Sequence, residues 1–183
     1  LYVDGSRLFA EHDLFGMCAR QAWAFSIVNE KHQLVGAAHG RPPWWAEGIH
    51  GAELWALLMA GSHAQPTDSF KVDCLAVQLG AQKGMEWATS PSRKFARAWA
   101  PLALILEGDT GRVAWMPAHC SEEQAYSRRL SDGTPLTVTD VTSNAVVDGL
   151  AKKVARQQKP LQWQCDMVRD EGRKVAEAAM WIG

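Results

Sequence analysis

The order of strand-like and helix-like segments is the feature that most constrains how this chain folds. Residues Ala22–Val28 alternate between two faces, a polar turn occupies residues 29–32, and Gln33–Ala38 return as a second strand. These segments predict a β-hairpin. An earlier strand ends at Leu1–Val3, and apolar residues at helical spacing in Gly51–Ala60 predict a helix after the hairpin.

Beyond this helix, strands and helices alternate. The predicted elements are a strand at Phe70–Leu75, a helix at Arg93–Leu106, a strand at Arg112–Met116 and a helix at Asn144–Arg156. The interior Pro101 is expected to kink or split the helix that contains it, because proline lacks the amide hydrogen of a helical turn. A hairpin followed by alternation predicts an α/β fold, with a mixed sheet and helices on its faces.

The chain has 183 residues, enough for one domain with an appended element. We predict a main domain over residues 1–156, with residues 121–143 forming a long loop inserted at the surface. Residues 160–183 form a predicted C-terminal helical extension, whose amphipathic helix spans Gln162–Trp181. The chain begins with Leu1 inside an apolar run, which suggests that it was cut from a longer protein.

Composition excludes several classes of function. The net charge of −1 argues against a protein that grips nucleic acid by bulk charge. No apolar run is long enough to span a bilayer, so we expect no membrane partner. The four cysteines are scattered without a CxxC pair and give neither a zinc pattern nor a readable disulfide framework. With no secretory signal, we expect an intracellular protein of the cytoplasm or nucleus that is not secreted.

Four carboxylates stand at suggestive places in this pattern. Asp4 ends the first predicted strand, Glu53 opens the first helix, Asp73 ends the fourth strand and Asp148 lies in the last core helix. Strand ends of an open sheet converge at a crevice, and clustered carboxylates suit hard cations such as Mg²⁺ or Mn²⁺. Two such ions could activate water and stabilise a leaving oxygen, and His119, after the fifth strand, could move a proton. Taken singly, each residue also fits a turn, a helix dipole or a strand end.

Five short segments, in order, resemble type 1 ribonuclease H domains of the retroviral and retroelement kind. They are residues 2–6 (YVDGS), 52–57 (AELWAL), 71–74 (KVDC), 113–119 (VAWMPAH) and 144–151 (NAVVDGLA). Each motif alone is weak, but their order and their positions on the expected elements make the set specific. The resemblance covers about residues 1–156.

The resemblance implies a ribonuclease H-like fold with a five-stranded mixed sheet, whose first three strands are antiparallel and whose last two run parallel to the first. Helices would cover both faces. It implies that Asp4, Glu53, Asp73 and Asp148 are metal-binding carboxylates for two Mg²⁺ ions, with Mn²⁺ as a substitute. Asp4 would bridge the ions and His119 would be a mobile catalytic histidine.

The implied activity is endonucleolytic hydrolysis of the RNA strand of RNA–DNA hybrids. The implied partners are the hybrid and a reverse transcriptase domain in the same polyprotein. Arg93, Lys94 and Arg97 share a predicted helix that would grip the DNA strand, although a solvated helix face fits them equally. Asn144 joins them as a substrate-binding residue.

Departures from the family pattern at two neighbouring positions leave alternative functions open. Cys74 and Leu75 replace the Ser-Gln of many relatives, which removes a polar contact to the substrate. A catalytically weak or inactive module that binds hybrids or serves a structural role is therefore one alternative. Another nuclease of the same fold, of the transposase or integrase type, is the second, since fold alone does not specify function. Trp44 and Trp45 either stack on nucleic acid or pack within the protein.

Overall fold

The computed structural model describes residues 1–9 and 17–182, so part of the predicted polar loop after the first strand and the last residue of the extension lie outside the described residues. The strands are β1 (Tyr2–Leu8), β2 (Arg20–Val28), β3 (Leu34–Gly40), β4 (Phe70–Val72) and β5 (Val113–Trp115). The helices are α1 (Gly48–Gly61), α2 (Leu75–Ala81), α3 (Gly84–Thr89), α4 (Ala96–Leu106), α5 (Val138–Gln157) and α6 (Gln162–Ile182).

The described strands form one mixed sheet in the order β3-β2-β1-β4-β5. β2 lies antiparallel to both β1 and β3, whereas β4 runs parallel to β1 and β5 parallel to β4. The predicted fold class is confirmed, including the antiparallel first three strands and the parallel last two.

Alternation along the strands divides the core between the two faces of the sheet. Val3 and Phe25 pack on one face with residues of α1, α2, α3 and α4. Their neighbours Tyr2 and Ala24 pack on the other face with residues of α5, such as Val147. Successive strand residues point to opposite faces, so the period-two pattern places helices on both sides, as predicted.

Gly5 allows α1 to lie directly against β1. A Cβ atom built on Gly5 would be 2.5 Å from the backbone nitrogen of Glu53 and 2.8 Å from the carbonyl carbon of Ala52. Backbone atoms cannot move aside as a flexible side chain can, so this contact sets the distance between β1 and the helix that carries Glu53.

We therefore expect Gly5→Ala to destabilise the chain by about 1 to 3 kcal/mol, the usual cost of overpacking a core. The added methyl group would push α1 away from β1 at Glu53. Chemical denaturation would measure the loss of stability. Gly149→Ala is the control, because no atom lies within 4 Å of a Cβ at that position. Equal stability of the two variants would contradict the tight contact.

The prediction that Asp4 ends the first strand is wrong. Asp4 lies within β1, opposite Ala24, and β1 continues to Leu8. The neighbouring β4 stops at Val72, and its pairing with β1 covers only Tyr2 and Val3. The crevice therefore opens where β4 ends beside a longer β1.

The predicted strand Phe70–Leu75 is also too long, and the two helices that follow it, α2 and α3, were missed. Leu75 begins α2, with Cys74 in an extended conformation before it. These helices have seven and six residues, fewer than two helical turns, so their apolar spacing carries little periodic signal.

The predicted helix Arg93–Leu106 begins later, at Ala96. Phe95 has a positive φ of 65°, which interrupts the helical backbone, so Arg93 and Lys94 precede α4. Pro101 does not split the helix, which continues through it to Leu106. Packing of the apolar face of α4 in the core outweighs the hydrogen bond that the proline removes.

The last core helix begins at Val138 rather than Asn144, so the predicted loop 121–143 is only partly a loop. Thr137 and Asp140 form a reciprocal capping box at its start. Within the remaining connection, Leu130 and Leu136 are buried against the α5 face of the sheet. This connection therefore contributes to the core and is not a simple surface insertion.

The predicted C-terminal helix is present as α6. Its buried residues are Cys165 and Gly172, whereas Met167 and Val175 of its apolar face are more than half exposed. Among the described residues, no helix combines the length and the apolar character needed to cross a bilayer. The division into a main domain and a helical extension stays a prediction.

Candidate active site

Three acidic side chains from three different elements meet where β4 ends. β1 supplies Asp4, α1 supplies Glu53, and Asp73 follows directly after β4. Each offers a carboxylate oxygen, and these oxygens all lie within 4.8 Å of one another. Residues separated by up to 69 positions thus form one acidic cluster.

The acidic cluster is electrostatically strained. Asp4 and Glu53 are only 4% and 5% exposed. Burial, and then the charge of Asp73, raises the pKa of Asp4 to about 7. Burial and the charge of Asp4 raise the pKa of Glu53 well above its usual value. Burial also raises the pKa of Asp73, although a hydrogen bond from Asn144 partly opposes this shift. The charge of Asp4 thus opposes ionisation of Glu53, and the charge of Asp73 opposes ionisation of both Asp4 and Glu53.

The donor set fits a hard divalent cation. Asp4 Oδ2 and Glu53 Oε2 are buried and have no hydrogen-bond partner within the described parts of the chain. A buried carboxylate oxygen without a donor is costly unless a cation or a proton satisfies it. Oxygen-only ligands are those that Mg²⁺ and Mn²⁺ prefer. Asp4, Glu53 and Asp73 are therefore the residues that would hold such an ion.

Asp148 faces the acidic cluster but has its own partner. It lines the same cavity of about 350 Å³ as Asp4, Glu53 and Asp73. Its Oδ2 atom lies 2.7 Å from Nζ of Lys152, one turn further along α5. The predicted set of four acids thus shares one cavity, with three close together and the fourth in an ion pair. The ion pair between Asp148 and Lys152 was not predicted from the sequence, although their i,i+4 spacing is a readable signal.

His119 and Asn144 lie beside the acidic cluster. His119 follows β5, has a positive φ of 51° and lines the cavity next to Asp148. Asn144 donates from Nδ2 to Oδ2 of Asp73 at 3.3 Å. The predicted substrate-binding residue Asn144 therefore orients a carboxylate of the cluster in this structure.

The three predicted basic substrate contacts do not share one helix. Only Arg97 lies in α4, and the other two residues precede it. Each cation lies over a different aromatic ring: Arg93 over Trp87 at 4.3 Å, Lys94 over Phe95 at 4.9 Å and Arg97 over Trp45 at 6.0 Å. The three cations are therefore held on separate aromatic rings rather than presented along a single helix.

Without a divalent cation, we expect the stability of the chain to fall as the pH rises from about 4 to about 7. The folded state keeps a proton on Asp4, with a pKa near 7, that the unfolded chain loses near its ordinary value of 3.8. The folded state binds more protons across this window, so raising the pH favours unfolding. Saturating Mg²⁺ should abolish this dependence of stability on pH, because the cation takes the place of the proton on Asp4. Thermal unfolding in EDTA and in Mg²⁺ would measure both effects, and an apo stability that rises towards pH 7 would contradict them.

No protein-family profile matches the sequence, and no curated protein matches it. Among solved structures, the chain is similar to the crystal structure of the prototype foamy virus protease-reverse transcriptase, with a TM-score of 0.55 and 17% identity. That match covers 84% of this chain and 20% of the viral protein, so the chain spans about a fifth of it. The solution structure of the foamy virus RNase H domain matches with a TM-score of 0.53 and 16% identity, covering 86% of this chain and 92% of the domain. The chain therefore has a ribonuclease H-like fold of the retroviral kind.

Proposed function

We propose that the chain is an endoribonuclease that hydrolyses the RNA strand of RNA–DNA hybrids with two divalent cations, Mg²⁺ or in its place Mn²⁺. The observation that carries this proposal is the acidic cluster, with carboxylate oxygens of three residues within 4.8 Å of one another and two buried oxygens that have no hydrogen-bond donor among the described residues. Its support is a site built only of oxygen ligands, on a fold shared with a retroviral RNase H domain.

Each side chain has a distinct part in this reaction. Asp4, Glu53 and Asp73 would hold the cations, and Asn144 holds the carboxylate of Asp73 in place. When bound there, the cations would supply an activated water and stabilise charge on the cut phosphodiester. His119, which lines the cavity, donates a proton to the leaving oxygen.

We also propose that a reverse transcriptase domain is the partner of this chain within one polyprotein. The support is the match to part of a protease-reverse transcriptase, of which the chain corresponds to about a fifth. Such a neighbour would produce the hybrid that this site consumes.

The proposed activity is tested by offering labelled RNA–DNA hybrid, duplex DNA and duplex RNA to the purified chain. We expect cleavage of the RNA strand of the hybrid alone, in Mg²⁺ or Mn²⁺, and none in EDTA. Comparable cleavage of duplex DNA would instead favour a nuclease of the transposase or integrase type. Binding of hybrid without any cleavage would favour the non-catalytic module.

Lys152→Met should increase the affinity of the acidic cavity for Mg²⁺. The substitution removes a positive charge and frees Asp148 from its ion pair. We expect the half-saturating Mg²⁺ concentration to fall by roughly three- to ten-fold, because one positive charge that repels the cation is removed from a partly solvated site. The Mg²⁺-dependent rise of the unfolding temperature would measure it.

Lys153→Met is the matched control for this charge change. Lys153 is the next residue of α5 but is exposed and does not line the cavity. If both variants shift Mg²⁺ affinity equally, the ion pair of Lys152 has no particular influence on the site.

A further inference from the structure

A second cavity, of about 160 Å³, lies at the same edge of the sheet as the acidic cavity. Arg20 and Gln21 at the start of β2, Arg41 and Trp44 after β3, and Gln158 after α5 line it. β1 leads from Asp4 in the acidic cavity to Leu8, which pairs with Arg20. Neighbouring strands are about 5 Å apart, so β1 and β3 are separated by about 10 Å.

Trp44 presents its ring to solvent, unlike its neighbour in the sequence. Trp44 is 83% exposed, whereas Trp45 packs edge-on against Trp55 with ring centroids 5.5 Å apart. Pro42 and Pro43 precede Trp44 and restrict the backbone that carries it. An exposed ring on a stiff support binds with little loss of conformational freedom.

The cavity beside Trp44 is positively charged. Among the described residues, the guanidinium of Arg20 donates to the carbonyl oxygens of Gln158 at 3.0 Å and of Met17 and Ala19 at 2.9 Å. No carboxylate of residues 1–9 or 17–182 forms a salt bridge with Arg20 or Arg41. Within this part of the chain, Arg20 and Arg41 therefore each bring a positive charge without an acidic partner to the cavity.

We propose that this cavity binds a single nucleic-acid strand, with a base stacked on Trp44 and phosphates paired with Arg41 and Arg20. The proposal rests on the proposed function, because the strand would be an extension of the hybrid held at the acidic cluster. An aromatic ring beside basic side chains is the usual means of binding single strands. A duplex offers no free base face to the ring, which favours a single strand as the occupant.

The test is the binding of labelled single-stranded DNA and RNA oligonucleotides to the full chain, without divalent cations. We expect Trp44→Ala to weaken binding by about ten-fold or more, and Trp44→Phe to restore most of it. Arg41→Gln should weaken binding and lower the slope of its salt dependence by about one. Trp181→Ala is the control, because Trp181 is 91% exposed near the end of α6.

The proposal would be overturned if Trp44→Ala bound the oligonucleotides as tightly as the wild type, or if Trp181→Ala lost as much affinity as Trp44→Ala.

Cleavage assays distinguish failure of this strand site from failure of the proposed nuclease. In the wild type, a hybrid with a single-stranded extension should be cut faster than a blunt hybrid, and Trp44→Ala should remove this preference. If the wild type cuts nothing while strand binding still depends on Trp44, the nuclease proposal fails and the strand site stands. If hybrids are cut and Trp44 has no influence on strand binding or on this preference, the strand site fails and the nuclease stands.

Discussion

Asp4→Asn is expected to abolish Mg²⁺-dependent cleavage of hybrids and, in the absence of cations, to stabilise the chain. Asp4 belongs to the acidic cluster and is nearly fully buried, and one of its oxygens has no hydrogen-bond donor in the part of the chain that the structure describes. Loss of a cation ligand removes several kcal/mol of charge stabilisation, which corresponds to a rate decrease of at least about a thousand-fold. In the apo protein, the same substitution removes a buried carboxyl group that must either take up a proton or repel the carboxylates of Glu53 and Asp73, so the variant should unfold at a higher temperature.

Two measurements on the Asp4→Asn variant test this prediction. Hybrid cleavage in Mg²⁺ and thermal unfolding in EDTA should change in opposite directions, and the rise of the unfolding temperature on adding Mg²⁺ should shrink. Asp166→Asn is the control, since Asp166 is half exposed on α6 and pairs with Arg169. If Asp4→Asn destabilises the apo protein, Asp4 has a structural role and the cation site is in doubt.

Asp140→Ala should destabilise the chain by about 3 to 5 kcal/mol, the usual result of breaking a buried ion pair by removing one partner. Asp140 is fully buried and forms a salt bridge with Lys71 of β4. It also accepts from the hydroxyl of Tyr2 at 2.8 Å, and from the nitrogen and hydroxyl of Thr137 at 2.7 and 2.6 Å. One carboxylate thus joins the start of α5 to β1 and β4, and its removal leaves these donors unsatisfied.

Urea denaturation would measure the loss, with Asp166→Ala as the control for a surface ion pair. That control should change stability by no more than about 0.5 to 1 kcal/mol. Burial alone would raise the pKa of Asp140, but the hydrogen bonds from Lys71 and Thr137 outweigh it and lower the pKa. The contribution of Asp140 to the free energy of unfolding is therefore present above the ordinary pKa of 3.8 and is lost as the pH falls below it. Asp140→Ala should accordingly weaken the decrease of the free energy of unfolding at acidic pH. A loss no larger than that of Asp166→Ala would contradict this role.

Much of the fold was readable from local patterns. The pattern of residues 22–38 predicted the hairpin of β2 and β3, and apolar spacing predicted α1 and α6. Boundaries were less accurate where tertiary contacts decide them. Phe95 interrupts the start of α4, and Pro101 is tolerated within it because the helix packs in the core. The start of α5 was a missed local signal, since Thr137 and Asp140 have the spacing of a capping box.

For the candidate site, the sequence predicted which residues would carry the chemistry, because their types and order resemble a family pattern. It also contained the i,i+4 pair of Asp148 and Lys152, since one helical turn brings such residues together. Only the tertiary structure decided that the carboxylates of Asp4, Glu53 and Asp73 lie within 4.8 Å of one another. That distance depends on the short β4 and on the close contact of Gly5 with α1, which are packing relations between distant segments. Local propensity specifies a strand or a helix, whereas burial of side chains against other elements specifies where each one ends and how closely two of them meet.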